Sequence, residues 1–249
     1  MSYGVLIPIK KGILMAAESR GNFYNERGIP VAYYDTVQKI FRINDTIGLV
    51  TTGNEFLKGK LLSEVISEFI EQYRSILELE EVIDSLIEFI VSKIKDSDLI
   101  RNQIFVVGGY KNEKPVIFYK DNSGINKLQN IQIIKSSNFS SFSMPDYKKV
   151  IKYSLNESIK LAIKIIKDFE NNGNYPDGIE PRMRVGGPID LLWLPMNGKG
   201  KWIKRKEKIG FDSINDFLEW AKKCNEVKLV NNFTRDELVR VISKLQEEI

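Results

Sequence analysis

A chain of 249 residues with 43% hydrophobic content is long enough to fill one core, and a single domain over 1–249 is expected. It has no histidine and one cysteine, Cys224, which excludes an internal disulfide, ordinary zinc spacings and the histidine base of the usual serine and cysteine hydrolases. The formal net charge is only +4, so no dominant basic surface is implied. The densest run, over 199–208, reads as a solvated strand hairpin, with nucleic-acid contact a weaker alternative.

Lys10, Lys11, Glu18 and Arg20 interrupt the apolar start far short of the roughly 18 to 20 residues of a membrane span or signal core, so a cytoplasmic protein is expected. Residues 3–9 and 12–18 read as two strands of a hairpin with Gly12 in its turn. The segment 21–30 reads as a polar loop, followed by strands at 31–35, 39–43 and 46–53. From Asn54 the apolar spacing changes to three and four, which predicts a helix, with a second over 82–94.

A second hairpin follows over 103–110 and 115–121, then a short strand at 131–135. One long amphipathic helix is expected over about 145–169, then a Gly- and Pro-rich loop over 171–188 and a buried strand at 189–195. A basic strand over 201–209 and two terminal helices from about Ser213 and Asp236 complete the chain. Strand groups with hairpin-length connections, separated by helices, predict an α+β fold. Its expected form is a four-layer α-β-β-α sandwich of two mostly antiparallel sheets.

The segment from Gly53 to Lys60 has the wrong spacing for a phosphate loop, and the glycine pairs in VVGGY and VGGP lack the dinucleotide spacing. No cofactor and no metal is expected. Ser2, Glu18, Lys39 and Gly53 together suit a different chemistry. Removal of Met1 would leave Ser2 with both a hydroxyl and an α-amine, whose ordinary pKa of about 8 makes it a base near neutral pH. A lysine beside the hydroxyl eases alkoxide formation, and a carboxylate fixes the lysine. The N–H of Gly53, read as opening a helix after a buried strand, suits an oxyanion.

The segments MSYGVLIPIKKGILMAAESRGN, YDTVQKIFRI, IGLVTTGN and VGGPIDLLWL resemble the proteasome β-subunit superfamily, most closely its bacterial Anbu branch, up to about Pro195. Residues 196–249 match the family poorly. The resemblance implies an N-terminal-nucleophile (Ntn) hydrolase, a threonine- or serine-type endopeptidase acting on peptide or protein substrates within a homo-oligomeric ring or lock-washer. Carried over by position, Ser2 is the nucleophile, Glu18 the acidic partner, Lys39 the active-site lysine and Gly53 the oxyanion donor. Arg20 closes the first hairpin, and Ser137 and Asp177 stand as supporting residues. Ser2 replaces the family's usual threonine, and Glu18 the aspartate usual in Anbu.

The helices over 54–94 are expected to form part of the oligomer interface. Alternatives are a non-catalytic scaffold subunit, an Ntn acyltransferase or ligase, and a nucleic-acid binder using 199–208. Glu55, just past Gly53, would make the specificity pocket acidic and favour a basic residue.

Overall fold

A computed structural model describes residues 3–73, 75, 78–94, 103–121, 124–128, 132–135, 146–172, 180–206, 211, 213–230 and 233–247. The chain begins with strands β1 (Tyr3–Ile9), β2 (Gly12–Glu18), β3 (Gly21–Tyr24), β4 (Pro30–Tyr34), β5 (Ile40–Arg42) and β6 (Gly48–Thr52). A small hairpin, β7 (Phe56–Leu57) and β8 (Lys60–Leu61), leads into helices α1 (Leu62–Tyr73) and α2 (Val82–Ile94). Strands β9 (Ile104–Lys111), β10 (Lys114–Asp121), β11 (Gly124–Leu128) and β12 (Gln132–Lys135) precede helices α3 (Tyr147–Val150), α4 (Leu155–Asn172) and α5 (Pro181–Arg184). The chain closes with β13 (Ile189–Pro195), β14 (Lys201–Lys204), α6 (Ile214–Lys223), β15 (Lys228–Leu229) and α7 (Arg235–Glu247).

Among the described residues, one sheet has the order β12-β1-β2-β13-β14 and the other β11-β10-β9-β6-β5, with every pair antiparallel. The two-residue pleat divides the inner strands between two cores. Leu6, Met15 and Leu192 from the first sheet meet Val50, Val106 and Ile117 from the second. On the reverse of the first sheet, Val5, Leu14 and Leu191 pack with Ile165, Ile166 and Phe169 of α4. On the reverse of the second, Leu49, Phe105 and Val107 pack with α1 and α2. Helices and antiparallel sheets thus share three cores, consistent with the expected α+β fold.

The structure differs from the sequence expectation where side chains override local pattern. The segment 21–30 is not all loop: Phe23 is buried in β3, and the Asn25 side chain accepts from the N–H groups of Arg27 and Ile29, both at 3.0 Å, to turn the chain into β4. The resulting third sheet, β15-β4-β3, is covered by Phe217 and Leu218 of α6 and Leu238 and Ile242 of α7. The helix expected from Asn54 starts only at Leu62, because Lys58 and Gly59 turn at φ 40° and 76°, the two positive values of a type I′ hairpin. The helix expected over 145–169 is interrupted at 151–154. A capping box starts α4 there: Ser154 Oγ accepts from the N–H of Glu157 at 3.3 Å, and the Glu157 carboxylate accepts from the N–H of Ser154 at 2.7 Å.

Helices α1 and α2, expected at an oligomer interface, bury Val65, Ile66, Phe69, Leu86 and Ile90 on their own sheet. The exposed large hydrophobic residues among those described are Tyr24, Ile163 and Ile203, all outside these helices.

Gly12 is the first residue of β2, opposite Ile9, and the turn is made by Lys10 and Lys11. What demands glycine is crowding, since a Cβ there would lie 2.0 Å from Cη2 of Trp193. Gly12→Ala should therefore destabilise by about 1–3 kcal/mol in chemical denaturation. Adding Trp193→Leu should make the pair less destabilising than the sum of the two single changes; strict additivity would contradict the crowding.

Candidate active site

The β1–β2 hairpin brings the start of β1 beside the end of β2. Glu18 ends a strand whose other residues are all apolar or glycine, and it is 1% exposed. A carboxylate so buried needs donors, and four surround it. One oxygen accepts from the N–H of Tyr3 at 3.1 Å and from the Lys39 ammonium. The other accepts from the N–H groups of Arg20 at 2.6 Å and Gly186 at 3.4 Å.

Lys39 immediately precedes β5, where its carbonyl accepts from the N–H of Thr51 at 2.9 Å. Its side chain is also buried, and Nζ donates a second hydrogen bond, to the Arg20 carbonyl, at 2.7 Å. An ammonium has three donors, so one is unspent among the described partners. Burial lowers the Lys39 pKa from its ordinary value, while Glu18 opposes the fall.

Arg20 is a brace. Its guanidinium forms a two-point pair with Asp35 at 2.7 and 2.8 Å, donates to the Arg182 carbonyl, and lies 3.9 Å from the centre of the Tyr33 ring. Its main chain meanwhile touches both members of the Glu18–Lys39 pair. Gly186 and Gly187, set aside as a nucleotide motif, have φ of 153° and 79°. A Cβ on Gly187 would lie 2.7 Å from the Asp35 carboxyl carbon, so the glycine pair lets the backbone close over the brace.

Gly53 follows β6, is exposed, and has φ 137°. Its N–H donates to no group among the described residues. The helix placed after it by sequence pattern begins nine residues on, at Leu62, so an unpaired loop amide replaces the helix terminus as the available donor. Lys39 and Gly53 line one cavity of about 270 Å³ with Tyr34, Thr51, Thr52 and Glu55. The structure thus gathers Glu18, Lys39, Arg20 and Gly53. Ser2, Ser137 and Asp177 lie outside the described residues.

Further side chains were not assigned a place here by sequence. Lys206, read as part of a solvated hairpin, is partly buried; its N–H donates to Asp190 at 2.8 Å and its ammonium to the Val37 carbonyl, two residues from Lys39. Burial, partly offset by Asp190, pulls its pKa down to about 8, and the charge of Lys39 adds to the fall. The signal available in sequence was Asp190, a carboxylate inside the apolar strand IDLLWLP. Asn22 also reaches the site's edge, donating to the Arg184 carbonyl at 3.1 Å. Among the described residues no group of three or more His, Cys, Asp or Glu side chains is gathered to hold a metal ion, and no helix is long and apolar enough to cross a membrane.

No protein-family model and no curated protein matches the sequence. Solved structures do match. Anbu (ancestral beta-subunit) from Yersinia bercovieri aligns at 15% identity over 82% of this chain and 88% of its own, with a TM-score of 0.53. The chain has the proteasome-like fold of Anbu. A mutant of Anbu from Hyphomicrobium sp. strain MC1 aligns at 16% identity over 100% of this chain and 96% of its own, with a TM-score of 0.50. The likeness of fold to Anbu therefore extends past Pro195, where the sequence resemblance ends.

Two measurements test this geometry. Glu18→Ala should destabilise by about 3–5 kcal/mol, because it strands a buried ammonium, and Glu18→Leu with Lys39→Met should recover much of the loss; both are read by chemical denaturation. Burial also raises the Glu55 pKa from 4.5 to about 7. Between those values the folded chain holds a proton that the unfolded chain releases, so Glu55 costs stability as pH rises from 4.5 to about 7. Relative to the unsubstituted protein, Glu55→Gln should be more stable at about pH 8 than at about pH 5; an unchanged difference would contradict the raised pKa.

Proposed function

We propose that the chain is an N-terminal-nucleophile amide hydrolase, acting on peptide or protein substrates through Ser2 after loss of Met1. The observation that carries this reading is the single Glu18 oxygen that accepts from both Lys39 and the N–H of Tyr3, the residue to which Ser2 is bonded. The carboxylate ties the lysine to the chain start, where an N-terminal nucleophile must act.

In the reaction, the Ser2 hydroxyl attacks the scissile carbonyl and the α-amine takes its proton. The Lys39 ammonium stabilises negative charge developing on the serine oxygen, and the N–H of Gly53 holds the oxyanion. The proton then passes to the leaving amine as the carbon–nitrogen bond breaks. Water attacks the resulting ester by the same route in reverse and frees Ser2. Burial of Lys39 sharpens its field on the reacting oxygen, since little water screens it. Arg20 keeps the carbonyl that orients Lys39 in place, and Ser137 and Asp177 are proposed to support the nucleophile on family resemblance alone.

We further propose that residues 1–249 act as one domain. Phe23 and Tyr34 share a core with α6 and α7, which links the two ends of the sequence. That Anbu is an ancestral beta-subunit supports assembly of copies into a ring or spiral, and a cytoplasmic location is proposed with it.

The test is intact mass before and after reaction with an electrophilic peptide vinyl sulfone. The expected result is loss of Met1 and one adduct, absent in Ser2→Ala, with Lys39→Met labelling at least ~10²-fold more slowly. Retained Met1 and no adduct would overturn the proposal.

A further inference from the structure

The cavity beside Lys39 has two kinds of wall. Phe23 and Phe56 supply apolar surface, while Tyr34, Thr51, Thr52 and Glu55 supply oxygen. The hydroxyls of Tyr34, Thr51 and Thr52 are buried and have no hydrogen-bond partner among the described residues.

The charges at this cavity are unequally committed. Lys39 is paired with Glu18, and Arg20 with Asp35. Glu55 has a hydrogen bond from the Ser63 hydroxyl at 2.6 Å, with Lys39 and Lys206 acting on it through space. It is therefore the acidic lining group without a salt-bridge partner among the described residues. At about 270 Å³ the space falls just below the roughly 300–1,000 Å³ of pockets for drug-sized ligands, a size that suits one side chain.

We propose that this cavity receives the side chain of the residue whose carbonyl is attacked and selects lysine or arginine there. The aliphatic stem lies against Phe23 and Phe56, and the cationic head donates to Glu55. This rests on the hydrolase reading for its link to cleavage, but not for the binding itself. With the Glu55 carboxyl at about 7, the preference for a cation strengthens as pH rises through neutrality and fades below it.

The probes are n-butylguanidinium and its neutral isostere n-butylurea, titrated into the full chain, alongside fluorogenic peptides with Arg or Leu before the scissile bond. At about pH 8 the guanidinium should bind about tenfold more tightly than the urea. The gap should shrink at about pH 6 and vanish in Glu55→Gln, whose amide can still accept from Ser63. Binding should persist in Ser2→Ala while turnover is lost. Equal binding of the two probes at about pH 8, or a preference that survives Glu55→Gln, would overturn the proposal. Selective binding without turnover of either peptide by the unsubstituted protein would leave the pocket standing and remove the hydrolase reading.

Discussion

The arrangement of this molecule depends on one buried ion pair, Glu18 with Lys39. Neither charge can be left alone in so dry a place, and each is completed by backbone groups that only this fold assembles. The carboxylate needs N–H groups from Tyr3, Arg20 and Gly186, and the ammonium needs the Arg20 carbonyl. Those donors come from the start of β1, the turn after β2 and the approach to β13, neighbours in the first sheet. A pair with these partners fixes the mutual position of three segments far apart in sequence.

The brace around Arg20 extends the same constraint outward. Asp35, the Arg182 carbonyl and the Tyr33 ring hold the guanidinium, so the carbonyl that receives Lys39 has little freedom. Lys206 reaches the segment leading to Lys39 through the Val37 carbonyl. Main-chain carbonyls of Arg20 and Val37 thus take part in positioning the lysine and the segment before it. On the hydrolase proposal, a site so held is preorganised for charge that appears only during reaction.

Much of the fold was legible because the segments 3–9, 12–18 and 189–195 are mostly apolar runs with sharp polar or glycine boundaries, and all three are strands as expected. The segment 56–61 was not, since Phe56, Leu57 and Leu61 fit a helix or a hairpin equally and only the backbone at Lys58 and Gly59 decides. β3 was hidden by its polar neighbours, whose Asn25 side chain makes the turn. Within the site, Glu18 and Lys39 were readable as charges at strand ends, and resemblance to the proteasome β-subunits aligned them. Lys206 escaped because the carboxylate that draws its backbone inward, Asp190, is remote in sequence and the surrounding lysines are exposed.

The central claim is that the chain start, Lys39 and Gly53 converge on one reacting oxygen. A crystal structure of the protein reacted with a peptide boronate would test it directly. The account predicts a bond from boron to the Ser2 oxygen, with Lys39 Nζ about 3 Å from that oxygen and the N–H of Gly53 facing a boronate oxygen. Boron bonded elsewhere, or an intact Met1 covering Ser2, would contradict it.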